Sequence, residues 1–168
     1  MNLSDYSTNM PVPEFEGQPN HRDLKCLLDN YAGKVSETTA IFQYIYQYYI
    51  LQDDYKELAE LLKGIAVVEM THHEWLGEAI VNSGGDPIIG GNYAFWSGSS
   101  LNYTKNPINI LRVNIDGERQ AIANYKRAIV CLQNKSLKDL IARIIVDEEL
   151  HVQLLQGALD KIIRASDR

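Results

Sequence analysis

The sequence predicts an all-α fold, an up-down-down-up four-helix bundle with one long crossover between helices 2 and 3. Three observations predict it. Apolar residues recur at helical spacing through four long segments. A connection of roughly twenty residues, GGDPIIGGNYAFWSGSSLNYTK, separates the second segment from the third, as joining opposite ends of two parallel helices requires. One pattern of acids and imidazoles is spelled twice, about eighty residues apart: Glu37 with Glu69 and His72, then Glu118 with Glu148 and His151.

At 168 residues with 45% hydrophobic content, the chain is long enough for one domain with a sizeable core. Residues 1–21 carry Pro11, Pro13, Pro19 and Gly17 with few periodic apolar positions, which predicts an extended N-terminal arm lying against the bundle or a partner. Residues 22–168 form the bundle domain. Leu24, Leu27, Leu28, Tyr31, Val35, Ile41, Ile45 and Tyr48 define helix 1, from Arg22 or Asp23 to about Gln52; Gly33 interrupts the pattern without ending it. Asp54 as cap, with Glu57 in the first turn, starts helix 2. It runs to about Asn82, where Gly84-Gly85-Asp86-Pro87 blocks continuation. Asn106 as cap with Pro107 starts helix 3, which reaches about Gln133 with Asn134 as terminator. Ser136 with Asp139 opens helix 4, which runs nearly to the end. Each helix spans about 40 Å.

Sixteen basic against twenty-two acidic side chains, with no basic stripe, argue against nucleic acid as a partner. No apolar run approaches a membrane span, and the polar start MNLSDYSTNM lacks a secretory layout, so no membrane partner and a cytoplasmic location are expected. Cys26 and Cys131 form no CxxC, which argues against a rubredoxin-type centre or a zinc knuckle in this chain; each is expected to be a small apolar core residue, with a disulfide between helices as the minority alternative.

Residues three apart on a helix share a face, so Glu69 with His72, and Glu148 with His151, each project an oxygen and a nitrogen donor the same way. Glu37 and Glu118 sit on apolar stripes with Ile41 and Tyr44, and with Ile122 and Tyr125, which places them inward. The neighbours repeat too: Glu-x-x-Ala-Ile-x-x-Tyr at Glu37 and Glu118, and Glu-x-x-His-x-x-x-Leu-x-x-Ala at Glu69 and Glu148. Four buried carboxylates without compensation would cost many kcal/mol or become protonated. Two divalent cations cancel their charge. Mixed oxygen and nitrogen donors suit iron or manganese, with zinc possible.

Glu37-Thr-Thr-Ala-Ile-Phe-Gln-Tyr44 and Asp147-Glu-Glu-Leu-His151 resemble signatures of the ferritin-like di-iron carboxylate superfamily, bacterioferritin and rubrerythrin in particular, over about residues 23–165. The resemblance implies two iron ions per chain, with manganese as the alternative. Glu69 and Glu148 would bridge the metals, Glu37 and Glu118 would each chelate one, and His72 and His151 would complete one each. It also implies a di-iron oxidoreductase of peroxidase or ferroxidase type, which reduces hydrogen peroxide or oxidises ferrous iron by reacting it with oxygen or peroxide. Tyr44 then stands as a catalytic candidate that hydrogen-bonds a terminal carboxylate or shuttles an electron; a satisfied core Tyr is the alternative. Tyr125 holds the equivalent place with a weaker case. Asp147 corresponds to an acid that accepts the spare N–H of a ligand His, expected to be His72; the first copy has Val68 there, so His151 must find support elsewhere. His73 is expected to be a non-ligand. Met70 matches the position of a haem-binding Met in bacterioferritin, but one Met on a helix is more often packing, and haem is not expected.

Two departures matter. Rubrerythrin carries a rubredoxin domain, which this chain lacks, and a further Glu where this chain has Ala121, so a separate electron-donor protein such as a rubredoxin is the expected partner. The chain ends soon after helix 4, so a 24-subunit iron store is not expected. A homodimer is, with Tyr46, Tyr49 and Trp75 as candidate contact surface. Glu-x-x-His followed by Gly84-Gly85-Asp86-Pro87 is also similar to manganese catalase, which leaves peroxide disproportionation and non-catalytic iron binding as competing functions.

Overall fold

Capping chemistry sets the helix boundaries of the computed structural model, which describes residues 2–14 and 20–166. Gly17 and Pro19 of the arm lie outside the described residues. Asn20 accepts a hydrogen bond from Arg22 N and starts α1, His21–Ala32. The chain turns out of the helix at Gly33, whose backbone is extended, and glycine is needed there because a Cβ would fall 2.5 Å from the Asp29 carbonyl oxygen. Ser36 caps α2, Glu37–Leu51, accepting from Thr39 N, while its own hydroxyl donates to Gly33 O at 2.8 Å. The expected unbroken helix 1 is therefore two helices. Its break puts Glu37 at the first position of α2, at the positive end of the helix dipole.

Helix α3, Lys56–Asn82, follows Tyr55 with no side-chain cap, so the expected cap at Asp54 is not formed; Glu57 does sit in the first turn. Its end is built on Gly84, whose φ of 82° suits only a residue without a side chain. Gly84 N donates to Val81 O and Gly85 N to Ile80 O, both at 2.9 Å, satisfying two terminal carbonyls. Asn106 caps α4, Pro107–Cys131, as its spacing predicts. Asn134, expected to end that helix, instead begins the next: its Oδ1 accepts from Leu137 N at 3.1 Å at the start of α5, Lys135–Ser166. Buried Asp23 accepts from Gln133 N and Asn134 N at 2.7 and 3.0 Å, tying α1 to that turn.

Helix α2 packs along α3, and α4 along α5. The crossover lies against the α1–α2 side, with Trp96 Nε1 donating to Thr39 Oγ1 at 2.9 Å and Tyr31 Oη to Pro87 O at 3.2 Å. The result is the predicted up-down-down-up four-helix bundle, its first helix in two pieces. The core falls into two apolar clusters, one around Leu27, Leu76, Ile80, Ile141 and Ile144, the other around Leu62, Ile65, Ile110, Leu111 and Leu155. Each such buried side chain contributes about 1.5–3 kcal/mol. Between the clusters in sequence lie the acids and imidazoles.

Cys26 and Cys131 depart from expectation, being joined as a disulfide across 105 residues that links α1 to the end of α4. Periodicity could place each Cys in the core but not report that the two meet there. Trp75 also departs: it is half-buried, 5.5 Å from the His72 ring and 5.7 Å from the Arg143 guanidinium, so Tyr49 is the one of the three proposed contact aromatics that stands exposed. Among the described residues, no helix is long and apolar enough to cross a membrane.

Candidate metal centre

Helix periodicity delivers the six donors to one place. Glu37, Glu69, His72 and Glu148 bring ligand atoms within 4.8 Å of one another, and so do Glu69, Glu118, Glu148 and His151. The groups share Glu69 and Glu148. All six residues are buried, with both imidazoles at 0% exposure. His72 Nδ1 lies 3.2 Å from Glu69 Oε2 and from Glu148 Oε1, and 3.9 Å from Glu37 Oε2. His151 Nδ1 lies 3.0 Å from Glu69 Oε1, 3.1 Å from Glu148 Oε2 and 3.9 Å from Glu118 Oε1. Each imidazole thus aims Nδ1 inward and Nε2 outward.

Two tyrosines close the ring crosswise. Tyr44 donates to Glu118 and Tyr125 to Glu37, so each phenol serves the terminal acid of the other sequence copy. Tyr44 does bond Glu118, the acid that one sequence reading makes a terminal ligand, and Tyr125 bonds Glu37 in the equivalent way. Burial drives the Tyr44 phenol well above its usual range, and the Glu118 charge adds to this, so it remains a proton donor.

Burial also raises Glu37 and Glu118 well above the ordinary carboxylate range, with the charges of Glu69 and Glu148 acting in the same direction. Burial would raise Glu69 and Glu148 as well, and the two charges oppose each other, but hydrogen bonds and attraction from the imidazoles hold both low. Burial would lower His72 and His151; hydrogen bonds and charge from the surrounding acids win and hold both well above the usual imidazole value.

The outer contacts were only partly foreseen. His72 Nε2 meets Asp147 Oδ2 at 3.2 Å, the pairing expected from sequence. Burial would raise Asp147, but the bonds from His72 and Thr8 hold it well below its ordinary value. Thr8 N and Thr8 Oγ1 donate to Asp147 Oδ1 at 2.7 Å each, Ser7 Oγ donates to Oδ2 at 3.0 Å, and Arg143 Nη1 pairs with Oδ2 at 2.8 Å. His151 Nε2 lies 3.0 Å from the Tyr6 carbonyl oxygen. The arm therefore reaches the centre from about 140 positions away in sequence. Sequence reasoning missed Tyr6, Ser7, Thr8 and Arg143; the visible signal was Gly64, one of two glycines inside α3, where a missing side chain can mark close approach by another segment.

A cavity of about 210 Å³ opens on the opposite side, between α2 and α4, and reaches Glu37, Glu118, Tyr44 and Tyr125. His73 stacks on Tyr31 at 4.1 Å between ring centroids and belongs to neither donor group. Met70 is 44% exposed on α3, outside both groups.

The rubrerythrin family model matches residues 32–159. A bacterioferritin from Desulfovibrio desulfuricans is 33% identical over 124 residues, covering 71% of this chain. The match spans 66% of that relative, just under two thirds of its length. A solved bacterioferritin from the same species, described with its diiron site in different catalytic states, superposes with a TM-score of 0.72 at 28% identity, covering 89% of this chain and 86% of that one. A manganese catalase from Anabaena superposes with a TM-score of 0.84 at 23% identity over 94% of this chain and 80% of that one, a likeness of fold.

Proposed function

Because the chain belongs to the rubrerythrin family of the ferritin-like di-iron superfamily, we propose that it is an oxidoreductase holding two iron ions and reducing hydrogen peroxide. The observation that carries this reading is the convergence of four buried carboxylates and two imidazoles into two donor groups sharing Glu69 and Glu148. The donor set fits the metals. Glu69 Oε1 and Glu148 Oε1 are buried, make no well-aligned hydrogen bond, and each faces an imidazole Nδ1, at 3.0 and 3.2 Å, as donors that share a cation do. Glu69 and Glu148 would bridge, Glu37 with His72 and Glu118 with His151 would complete one metal each, and Asp147 would orient His72.

Bound redox-active iron or manganese would supply the electrons that peroxide reduction needs. The chain's own residues supply place and protons. The cavity of about 210 Å³ admits a water-sized oxidant such as peroxide or oxygen and is smaller than the sites that enclose drug-sized ligands. Reduction of one peroxide to two waters consumes two electrons and two protons. Tyr44 Oη, bonded to Glu118 at the cavity wall and kept protonated by burial, would pass a proton there. Tyr125 has the same relation to Glu37.

A second reading, oxidation of ferrous iron as part of iron handling, is favoured by the 33% identity to a bacterioferritin. Elemental analysis after reconstitution, then anaerobic mixing of the reduced protein with peroxide, tests both. About two iron per chain and repeated peroxide turnover with an added rubredoxin-like reductant support the peroxidase. Retained ferric cores support iron handling, and manganese with unaided peroxide turnover supports disproportionation. Uptake of less than one metal per chain would sink the two-metal centre. We further propose a cytoplasmic homodimer, which sedimentation and fractionation would test.

A further inference from the structure

We propose that the N-terminal strap, Tyr6 to Met10, is a built part of the metal centre, with the Tyr6 carbonyl as the positioning group of His151; this rests on the two-metal reading above. The repeat poses the problem. Asp147, directly before Glu148, takes the outward nitrogen of His72 across the bundle. The matching residue before Glu69 is Val68, 5% exposed and without an acceptor, so the first copy offers His151 nothing equivalent. The strap fills that place, with Tyr6 O at 3.0 Å from Nε2 of an imidazole at 0% exposure.

The strap is fastened on both sides of that carbonyl by contacts that do not involve His151. On one side the Tyr6 ring occupies the space a side chain would take at Gly64 of α3: a Cβ there would fall 2.5 Å from Tyr6 Cε2 and Cζ. On the other, Ser7 and Thr8 bond Asp147, and Arg143 donates from Nη2 to Thr8 O at 2.6 Å and from Nε to Met10 O at 3.2 Å. The carbonyl between these anchors has little freedom. An imidazole that donates Nε2–H to it keeps the Nδ1 lone pair inward, as a metal ligand must. Without the strap, His151 loses the group that selects its tautomer and fixes its ring, whereas His72 keeps Asp147, itself still paired with Arg143.

The test uses the full-length chain and its Tyr6→Ala, Gly64→Ala and Tyr6→Phe variants, titrated with Co(II) alone, together with ¹H–¹⁵N spectra of the metal-free histidines. Tyr6→Ala and Gly64→Ala are expected to weaken one of two Co(II) steps by about 10- to 100-fold, leave the other within about twofold, and unprotect the His151 Nε2–H. Tyr6→Phe, which keeps ring and carbonyl, should match the wild type. Gly64→Ala also favours the helix, so selective loss of one step without loss of thermal stability separates positioning from general damage. Unchanged steps and spectra in both Ala variants, or equal weakening of both steps, would overturn the proposal. A wild-type chain taking up less than one Co(II) overturns the two-metal reading and this inference with it.

Discussion

On the His72 side, the inward nitrogen lies 3.2 Å from each of Glu69 and Glu148 and the outward nitrogen faces a carboxylate; on the His151 side, the inward distances are 3.0 and 3.1 Å and the outward nitrogen faces a peptide carbonyl. The terminal acids match as well, each 3.9 Å from its imidazole and each bonded by a tyrosine of the other copy. On the two-metal reading proposed above, inner geometry is duplicated because two like cations need the same donors at the same reach. Outer support diverges because any acceptor that selects the tautomer will serve. The substitution leaves one imidazole beside a negative charge and the other beside a neutral dipole, so the two metals should differ in affinity although their donors agree.

The largest effect on this comparison comes from removing what both halves share. Glu148→Ala deletes a carboxylate near both imidazoles, and the two-metal state should be lost, read as metal per chain after reconstitution. Two metals still bound tightly would show that Glu148 does not bridge.

Next in size is pH, which acts on both halves alike. Protons compete with cations for these donors, and Glu37, Glu118, His72 and His151 are all raised in the fold. A raised group contributes stability that is fully present below its unfolded value, about 4.3 for Glu and 6.5 for His, and that is lost as pH rises through the folded value. The metal-free protein should therefore lose thermal stability as pH rises above about 6.5. Asp147, Glu69 and Glu148 are lowered, and their contribution is lost instead as pH falls below the ordinary carboxylate range. Metal affinity should rise about tenfold per pH unit for each proton displaced. Calorimetry with and without metal checks the sign: the slope of Tm against pH should reverse on loading, with the spacing between the two binding steps unchanged.

Asp147→Ala should then weaken the His72 side more than the His151 side, which it reaches only by loosening Ser7 and Thr8 of the strap. It leaves His72 without its outer acceptor, which costs about 10- to 100-fold in affinity for one metal. It also leaves Arg143, 5% exposed, without its carboxylate, a destabilisation of about 3–5 kcal/mol. Thermal unfolding and a Co(II) titration measure the two effects separately. Equal weakening of both steps would mean that Asp147 supports His151 through the strap as strongly as it supports His72.

How much of this was legible in the sequence follows the same division. The convergence of the inner donors was, because a two-metal site would fix residue type and helical spacing together, and Glu37, Glu69, His72, Glu118, Glu148 and His151 all appear as pattern. Asn106-Pro107 and Gly84 were legible for a similar reason, each being a residue type that its backbone position demands. The Tyr6 carbonyl was not, since every residue carries one and nothing in a linear chain brings position 6 to position 151. The break before Glu37 was written in Gly33 and in the Ser36 and Thr39 hydroxyls, yet it competed with an apolar period that runs on through Val35 and Ile41. Asp54 shows the opposite error, a good capping residue left one position outside Tyr55, the cap position before α3.

Tyr44 and Tyr125 give the finest test of the inner symmetry. Each donates one hydrogen bond to a terminal carboxylate, and loss of such a bond costs about 1 kcal/mol, roughly fivefold in metal affinity. If binding alone is at stake, Tyr44→Phe and Tyr125→Phe should weaken opposite metals by similar amounts, because Tyr44 serves the acid beside His151 and Tyr125 the acid beside His72. If Tyr44 is the route by which protons reach the cavity, the pair separates in rate rather than affinity: Tyr44→Phe slows single-turnover oxidation by peroxide, and Tyr125→Phe leaves it near the wild-type rate. Equal rates for both variants would make the tyrosines a matched pair of carboxylate clamps, and the asymmetry of the centre would then reside wholly in Asp147 and the strap.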